Sequence, residues 1–427
     1  MPGEGALYLG VDLGTSGVRA IAIDAAGAVR AQAARPLPAP DAADGGPRQD
    51  PALWWDAVQA VIAEAAAKAA GSIKALAVDG TSGTLLVADK DGAPLAPAGM
   101  YNDASAAHLA PRIGEDAPAE SGAHGATSPL ARLLVLQERH RGAVHALHQA
   151  DWIAGRLTGV WGRSDANNAL KLGYDPVAGR WPGWLEGVGA RMDLLPEVAE
   201  PGTPIGPVEP GLARRLGLAE GCLAVAGTTD GCASFLATGA SEAGDGVTAL
   251  GSTLTLKLLS DAPVFAPAFG VYSHRILGRW LVGGASNTGG AALLRFFTGE
   301  RMAELTPGLD PDDPVGLDWH PLPGRGERFP VADPGMTFEP EGRPADDARF
   351  FQALLEGIAG VEADAYRRLE DLGAPTLRSV RTVGGGAGNP AWTRIREGLL
   401  GVPMKEPVHL EAAYGAALLA RIGAGKA

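Results

Sequence analysis

Short apolar stretches of strand length dominate the first part of the chain. The stretches at 7–12, 18–24 and 29–32 are separated by glycine-containing turns, so they predict three antiparallel strands in a meander. From Pro51 to Ala70 the apolar residues return at helical spacing, which predicts a helix with proline at its start. A further apolar stretch at 73–79 predicts another strand, which ends in an aspartate.

The pattern restarts near residue 222. An apolar stretch at 223–227 predicts a strand, the turn Thr228–Gly231 leads into a predicted helix, and alternation over 246–257 predicts a hairpin. Both halves open with strands, an aspartate and a turn rich in glycine and hydroxyl residues. The repetition indicates a duplicated architecture without a fixed sequence period.

The end of the chain is equally clear. An amphipathic pattern over 350–372 predicts a long helix, and 380–383 predicts a strand. A glycine loop at 384–389 follows, then a predicted helix over 390–400 with proline near its first position. The segment 411–421 predicts a final, alanine-rich helix.

Length and composition indicate how many domains the chain has and argue against nucleic acid as a partner. At roughly 100–200 residues per domain, 427 residues predict two to three domains. The 61 glycines and 33 prolines indicate many tight turns and loops lined by backbone in a folded chain. The net charge is −13, and no stretch supplies a basic patch, so nucleic acid is not expected as a partner.

Other features of the sequence predict a cytoplasmic protein. Cys222 and Cys232 are too few for a disulfide framework, and we expect them to be buried thiols. The start of the chain, Met1–Glu4, leads directly into a strand pattern, so no signal peptide is predicted. No apolar stretch approaches the ~20 residues that span a bilayer. We expect a soluble, cytoplasmic enzyme without membrane partners, as a monomer or homodimer.

Three turns combine small residues with groups that bind anions or protons. In 12–17, glycines let backbone amides approach an anion, and the carboxylate of Asp12 suits Mg²⁺, although a plain hairpin turn has the same pattern. Asp230 can accept a proton or cap the helix that follows it. The turn 251–253 carries hydroxyl groups but is equally typical of a simple hairpin.

The glycine run 384–388 lies between a predicted strand and a predicted helix, where it can cradle a nucleotide. It matches neither the dinucleotide fingerprint nor the P-loop, so no P-loop lysine is available. Bound phosphate would therefore be held by backbone amides and Mg²⁺. Trp392 is either a core residue, which is the simpler interpretation, or a lid on a purine ring.

Three histidines, His140, His145 and His148, lie close together on a predicted helix. They have no carboxylate or cysteine at metal-ligand spacing, so a solvated helix face is favoured over a metal site.

Taken in order, these motifs resemble a known family. Gly10–Ser16 resembles the first phosphate motif of the sugar kinase, actin and Hsp70 superfamily, and Ala226–Gly231 resembles its second. Val383–Trp392 resembles the adenosine motif. Leu400–Pro403, followed by Glu411–Ala417, is similar to the end of the FGGY carbohydrate kinases.

This resemblance implies an α/β fold with two ribonuclease-H-like, actin-like ATPase domains. Each would have a mixed sheet flanked by helices, with a cleft between the domains. Residues 1–225 would form a sugar-binding domain and residues 226–427 an ATP-binding domain.

The resemblance also implies roles for single residues. Asp230 would be the general base, Asp12 would organise Mg²⁺ mostly through water, and Thr15 would join them in catalysis. Substrate would be bound by Asp12, Thr15, Ser16, Ser82, Asp103 and Asp230. ATP would be bound by Gly14, Thr15, Ser16, Gly251, Ser252, Thr253, Gly384, Gly385, Gly386, Asn389 and Trp392.

The resemblance further narrows the substrate. Xylulose kinases usually carry a Met-His pair where this chain has Ser82-Gly83, and the glycerol-kinase Arg-Glu pair is absent as well. Segments 164–169, 173–176 and 285–290 are similar to a short pentulose kinase branch of plant and cyanobacterial type, which implies phosphorylation of D-ribulose to D-ribulose 5-phosphate. A D-xylulose or sugar-alcohol kinase is the alternative within the class, and a non-catalytic sugar or nucleotide sensor is the alternative outside it.

Overall fold

The computed structural model describes residues 5–42 and 45–426. The residues Met1–Glu4, on which the signal-peptide prediction depends, lie outside this part of the chain. Contacts divide the protein into two compact units. The first unit comprises Met1–Ala237, His274–Gly278 and His409–Ala427, and the second comprises Thr238–Ser273 and Arg279–Val408. The division into a sugar-binding and an ATP-binding domain at residue 225 stays a prediction.

Up to residue 237 the chain alternates between short strands and helices. The strands are β1 (Ala6–Leu13), β2 (Gly17–Asp24), β3 (Val29–Pro36), β4 (Arg48–Gln49), β5 (Ser72–Gly80), β6 (Leu85–Ala88), β7 (Ala98–Gly99), β8 (His145–His148), β9 (Arg163–Asp165), β10 (Glu197–Ala199), β11 (Pro204–Pro207) and β12 (Leu223–Val225). The helices are α1 (Pro51–Lys68), α2 (Ala110–Asp116), α3 (Pro129–Arg139), α4 (Gln149–Thr158), α5 (Ala166–Ala169), α6 (Trp184–Gly187), α7 (Pro210–Leu216) and α8 (Asp230–Ala237).

The main sheet of the first unit has the order β11-β12-β5-β1-β2-β3. Strands β1, β2 and β3 run antiparallel, as the predicted meander requires, while β5 and β12 continue the sheet in parallel with β1. Helix α1 begins as its sequence predicts, because Pro51 occupies its first turn and the Asp50 side chain accepts a hydrogen bond from the Ala52 amide at 2.9 Å. Two smaller sheets, β4-β7-β6-β8 and β10-β9, accompany the main sheet.

The rest of the chain builds the second unit, apart from His274–Gly278 and the last helix, which belong to the first unit. The strands are β13 (Asp245–Leu250), β14 (Leu254–Ser260), β15 (Tyr272–Ile276), β16 (Arg279–Ser286), β17 (Ser379–Val383) and β18 (Met404–Lys405). The helices are α9 (Gly290–Leu293), α10 (Gly299–Leu305), α11 (Asp347–Asp371), α12 (Pro390–Leu400) and α13 (Ala412–Ala424). The predicted hairpin, the long helix and the strand–loop–helix near the end are all confirmed.

The second sheet repeats the plan of the first. Its order is β15-β16-β14-β13-β17-β18, with β13, β14 and β16 antiparallel and β17 and β18 parallel to β13. The predicted duplication and the two-domain α/β fold with mixed sheets are therefore confirmed. Its predicted starting point near residue 222 is wrong, because Leu223–Val225 pairs with β5 in the first sheet and the second meander begins at Asp245.

Helix α13 belongs to the first unit and packs tightly on it. A Cβ atom on Gly10 in β1 would lie 1.9 Å from the carbonyl oxygen of Ala413. A Cβ atom on Gly415 would lie equally close, 1.9 Å, to the carbonyl oxygen of Ala233 in α8. Since neither position has room for a side chain, glycine fixes the distance of α13 from β1 and α8.

Two smaller predictions have different outcomes. Cys222 and Cys232 are buried and form no disulfide, as expected. The three histidines do not share a helix: His140 follows the end of α3, while His145 and His148 belong to strand β8. The amphipathic pattern of α3 does not continue through Gly142, so the chain turns into an extended strand there. Within residues 5–42 and 45–426, none of the helices combines the length and hydrophobicity that crossing a membrane requires.

Candidate active site

Three aspartates meet at one edge of the first sheet. Asp12 near the end of β1 and Asp79 near the end of β5 are neighbours in the parallel register. The Gly80 amide donates a hydrogen bond to the Thr228 carbonyl at 3.3 Å, which brings the start of α8, and with it Asp230, to the same edge. The carboxyl ends of the parallel strands thus gather three acidic side chains.

Asp12 lies in an environment that disfavours its charge. Burial, followed by the negative charge of Asp230, raises the pKa of Asp12 to about 6. A hydrogen bond with Asp79 and the nearby Arg19 act in the opposite direction. The Arg19 guanidinium stands 3.7 Å from the Asp12 carboxylate and also contacts Glu411 at 3.3 Å. Asp12 therefore has the raised proton affinity that is typical of functional carboxylates.

Asp79 is fully buried, and burial followed by the charges of Asp12 and Asp230 holds its pKa well above the ordinary value. The protonated form can donate to Asp12. Apart from that pair, neither Asp79 oxygen has a hydrogen-bond partner among the described residues. From its resemblance to ribulose kinases, the segment 79–84 is expected to decide the choice of substrate, but sequence reasoning gave the Asp79 side chain no catalytic or binding role of its own.

Asp230 is the first residue of α8. Its carboxylate accepts a hydrogen bond from the Gly231 amide at 2.6 Å, and the helix N-terminus stabilises negative charge. The helix-start interpretation is thus satisfied by the structure. The position at a helix start does not exclude a proton-accepting role, because one carboxylate can both accept the Gly231 hydrogen bond and take up a proton.

The turn after β1 has the hydrogen bond of a simple hairpin, from the Gly14 amide to the Gly17 carbonyl at 3.0 Å. The Thr15 carbonyl accepts a bond from the side-chain amide of Gln49 at 3.3 Å, and Gln49 in turn accepts one from the Trp54 indole at 2.6 Å. Sequence reasoning did not identify Gln49. It is a single buried amide, and the residue that it contacts in the turn lies 34 positions earlier in the sequence. It anchors the turn to α1 and leaves the Ser16 side chain exposed.

The turn after β5 contains Ser82, which lies close to several buried polar groups. Its hydroxyl group is buried without a hydrogen-bond partner among the described residues. Arg132 donates to the Gly83 carbonyl and, at 2.8 Å, to the Asp103 carbonyl. The Asp103 carboxylate is fully buried, 3.1 Å from the Arg48 guanidinium. Its predicted contact with substrate stays a prediction.

In the second unit the turn Gly251–Thr253 connects β13 with β14. It is held by the start of α9, since the Gly290 amide donates to the Gly251 carbonyl at 2.9 Å and the Ala291 amide to the Ser252 carbonyl at 3.1 Å. Both a hairpin turn and a phosphate-binding turn are compatible with this geometry.

A cavity of about 420 Å³ adjoins that turn. It brings together most of the predicted nucleotide-binding residues with apolar side chains of α9, α10 and α11. The lining residues are Leu250, Gly251, Ser252, Gly290, Leu293, Leu294, Met302, Ala303, Thr306, Phe351, Leu355, Gly385, Gly386, Asn389 and Trp392. Thr253 and Gly384 are not in this lining but adjoin residues that are, whereas the other predicted ATP-binding residues, Gly14, Thr15 and Ser16, belong to the turn after β1. The apolar wall was missed because its residues read as ordinary helix core.

The position of Trp392 is compatible with both interpretations given above, a core residue and a lid on a purine ring. Its side chain is buried and its indole donates to the Leu355 carbonyl at 3.0 Å, as for a core residue. Its ring also faces the cavity beside Gly386, where an added Cβ atom would lie 2.6 Å away. Asn389 caps α12 by accepting from the Trp392 amide at 3.0 Å and contacts the Thr306 hydroxyl group at 3.4 Å.

The donor set at the first site suits a hard cation. Within the described residues, no group of three or more His, Cys, Asp or Glu side chains is arranged to hold a metal ion by itself. Mg²⁺ retains several waters and needs only one or two carboxylates besides phosphate oxygens. Asp12 offers such a carboxylate beside the carboxyl groups of Asp79 and Asp230, and it fits such a role.

Comparisons with known proteins show what the chain is similar to. Residues 7–237 match the model for the N-terminal domain of the FGGY family of carbohydrate kinases, and residues 240–424 match the model for its C-terminal domain. A xylulose kinase of Streptomyces coelicolor is 29% identical over 97% of this chain and 87% of its own. An autoinducer-2 kinase of Yersinia pestis is 28% identical over 65% of this chain and 56% of its own. The crystal structure of a xyloylose kinase from Brucella ovis matches 99% of this chain and 91% of its own, with a TM-score of 0.88 and 26% identity.

Proposed function

Because the chain belongs to the FGGY family of carbohydrate kinases, we propose that it phosphorylates the terminal hydroxyl group of a ketopentose with ATP, and that D-ribulose is the substrate. The observation that carries the proposal is the meeting of Asp12, Asp79 and Asp230 at one sheet edge, with their charges mutually coupled.

In this proposal Asp230 is the general base. It takes the proton of the sugar hydroxyl group while the sugar oxygen forms its bond to the γ-phosphorus, and the bond to the leaving ADP oxygen breaks. Asp230 stands at the N-terminus of α8, where the helix favours negative charge on the base before it accepts the proton. A base positioned in this way contributes about 10²–10⁴-fold to the rate.

Asp12 and Asp79 prepare that edge. Asp79 retains its proton because burial and two acidic neighbours oppose its ionisation, and it can share that proton with Asp12. Asp12 would hold Mg²⁺, mostly through water, and the cation would neutralise phosphate charge. Asp12 would then ionise beside the cation, and Thr15 and Ser16 would present their hydroxyl groups to the sugar or phosphate.

The nucleotide would occupy the cavity of the second unit. Its apolar wall and the Trp392 ring suit a base, while the glycines of the turns at 251 and 384–386 allow close approach by phosphate or ribose. We propose that residues 1–225 bind the sugar and residues 226–427 bind ATP.

Two observations bear on the identity of the sugar. Ser82-Gly83, where xylulose kinases usually carry Met-His, favours D-ribulose. The names of the similar proteins, a xylulose kinase and a xyloylose kinase, favour D-xylulose as the second candidate.

A coupled assay of ADP release tests both candidates. Purified protein with ATP and Mg²⁺ is offered D-ribulose, D-xylulose, L-ribulose, ribitol, glycerol and gluconate. We expect kcat/KM for D-ribulose to exceed that for every other compound at least tenfold. A preference for D-xylulose would select the second candidate, and ADP release that no sugar stimulates would contradict both.

A further inference from the structure

Buried polar atoms without partners concentrate around the turn that follows β5. Among the described residues, the hydroxyl groups of Ser82 and Thr84 are inaccessible to solvent and lack a hydrogen-bond partner. The same holds for both Asp79 oxygens, apart from the pairing with Asp12 described above. Folded proteins satisfy nearly all buried polar groups, so such a concentration calls for a missing partner.

Two further atoms of this kind come from the start of α4. His148 ends β8, where it lies opposite Leu85, and Gln149 is the first residue of α4. The Gln149 side-chain oxygen accepts a hydrogen bond from the Thr81 amide at 3.1 Å, which fixes the side chain against the turn. The Gln149 amide nitrogen has no partner among the described residues.

The His148 imidazole, like the Gln149 side chain, is held by a hydrogen bond at only one of its two polar atoms. Its Nδ1 lies 3.2 Å from the Asp151 carboxylate, and Asp151 also accepts from the His148 amide at 2.9 Å. His148 is fully buried, and its Nε2 has no partner within the described part of the chain. Each of the two residues therefore uses one polar atom to hold its position and leaves the other one without a partner among the described residues.

The chemistry of these atoms without partners indicates which class of ligand they can bind. Hydroxyl groups, an amide nitrogen and an imidazole nitrogen supply both donors and acceptors, which suits sugar hydroxyl groups. The buried cation beside the turn, Arg132, donates to the carbonyl groups of Gly83 and Asp103, while its Nε has no partner among the described residues. The turn is thus suited to a polyhydroxyl compound.

We propose that His148 and Gln149, together with Ser82 and Thr84, bind the hydroxyl groups of the sugar and determine which ketopentose is accepted. This inference rests on the proposed function and adds two specificity residues from α4 and β8. His148 Nε2 and the Gln149 amide nitrogen contact the bound sugar, while Asp151 and the Thr81 amide hold the two side chains in place.

Two substitutions at His148 distinguish a contact with the sugar through Nε2 from a structural role through the Nδ1 contact with Asp151. Asparagine can place a polar atom near the position of Nδ1 and keep the contact with Asp151, but it removes Nε2. Glutamine can place its amide near the position of Nε2. We expect His148→Asn to raise the KM for D-ribulose at least tenfold while the KM for ATP changes less than twofold, and His148→Gln to restore most of the affinity.

Gln149→Glu provides the second arm. It keeps an oxygen for the Thr81 amide and replaces the amide nitrogen by a second oxygen. We expect a loss of D-ribulose affinity of at least tenfold and a changed ratio of kcat/KM between D-ribulose and D-xylulose.

The matched control is His145→Asn, in the same strand, whose half-buried ring stacks near Trp161. We expect its sugar KM to stay within twofold of wild type. Calorimetric titration with D-ribulose, and circular dichroism of each variant, exclude loss of folding as the cause.

The outcomes are distinguishable. If wild-type protein phosphorylates no pentulose, the proposed function fails. If wild type is active and His148→Asn retains its sugar KM, or His148→Gln is the more impaired of the two, the inference is overturned and the atoms around the turn bind structural water only.

Discussion

The two units of this protein share a strand order but end their strands differently. In the first unit β1 carries Asp12 near its end and β5 carries Asp79, whereas β13 and β17 of the second unit end in Leu250 and Val383. Carboxylates at one pair of ends and apolar residues followed by glycine at the other give one acidic site and one apolar cavity.

The comparison teaches that the duplicated sheet supplies positions and not chemistry. In both units the central parallel strands end at a turn. In the proposed function the side chains at those ends would decide the ligand, which is a metal ion with sugar hydroxyl groups in the first unit and the base and phosphates of ATP in the second.

The largest expected effect concerns the acidic site. Replacing Asp230 by asparagine removes the proposed proton acceptor with little change in volume. We expect kcat to fall by about 10²–10⁴-fold, with ADP binding unchanged in a fluorescence titration, because the cavity of the second unit is untouched. Asp193→Asn, at an exposed ion pair with Arg191, is the control. Retention of kcat within tenfold would remove Asp230 from its assigned role.

The next effect tests the second unit by itself. An alanine at position 386 would place its Cβ atom 2.6 Å from the Trp392 ring and 2.8 Å from Leu250. We expect the glycine loop to shift and the KM for ATP to rise about tenfold or more, corresponding to roughly 1.4 kcal/mol or more, while the KM for sugar stays constant. Gly388→Ala serves as the control, since its Cβ atom would meet nothing within 4 Å. An equal effect of both alanines would contradict a role for the Gly386 packing.

A third prediction concerns stability. Since the folded-state pKa of Asp12 is raised to about 6, its protonated form contributes stability that is complete below about pH 4. That contribution is lost as the pH rises through 6. Asp12→Asn should therefore be the more stable protein above pH 6, by on the order of 2 kcal/mol, and the difference should vanish near pH 4. Urea unfolding at pH 4, 5, 6, 7 and 8 measures it; a variant less stable than wild type at pH 8 would argue against the electrostatic cause.

The smallest effect has the opposite sign. Burial raises the pKa of Asp245, but hydrogen bonds from Ser379 and two backbone amides, and the charge of Arg381, outweigh it and lower the value to about 2. Its stabilising contribution is present above about pH 4 and is lost as the pH falls through 2. Asp245→Asn should be destabilised by about 1 kcal/mol at pH 7.

The same urea series, extended to pH 2, checks this carboxylate. The difference in unfolding free energy from wild type should change with pH in opposite directions for Asp12→Asn and Asp245→Asn, which would sharpen the contrast between the two units. Parallel slopes would show that both carboxylates respond only to overall charge.

Much of the fold was predictable, because strand and helix periods, capping residues and glycine turns are local signals. The meander at β1–β3, the helix α11 and the segment from β17 to α12 were recovered for this reason. The start of the second unit was misplaced, since β12 and the first strand of a new sheet look alike until their pairing partners are known. His145 and His148 were placed on a helix because a four-residue strand has too short a pattern to recognise.

The sequence predicted those residues of the candidate site in which a carboxylate lies close to a glycine in a turn, as Asp12 and Asp230 do. Asp79 and Gln49 were missed because their roles depend on neighbours distant in sequence: Asp79 on the register with β1, and Gln49 on a contact with the turn at Thr15. The apolar wall of the second-unit cavity was missed because lining and core residues have the same hydrophobicity, and only the folded chain separates them.

The packing of α13 on Gly10 has a consequence for synthesis. The first strand leaves the ribosome early, but the helix that covers it is made only after the whole of the second unit. During translation the second unit is therefore the earlier one to have all its residues, and β1 must wait with one face uncovered. A chain truncated after Val408 keeps every residue of the second unit and lacks α13, so it should protect the second unit from protease while leaving the first one susceptible.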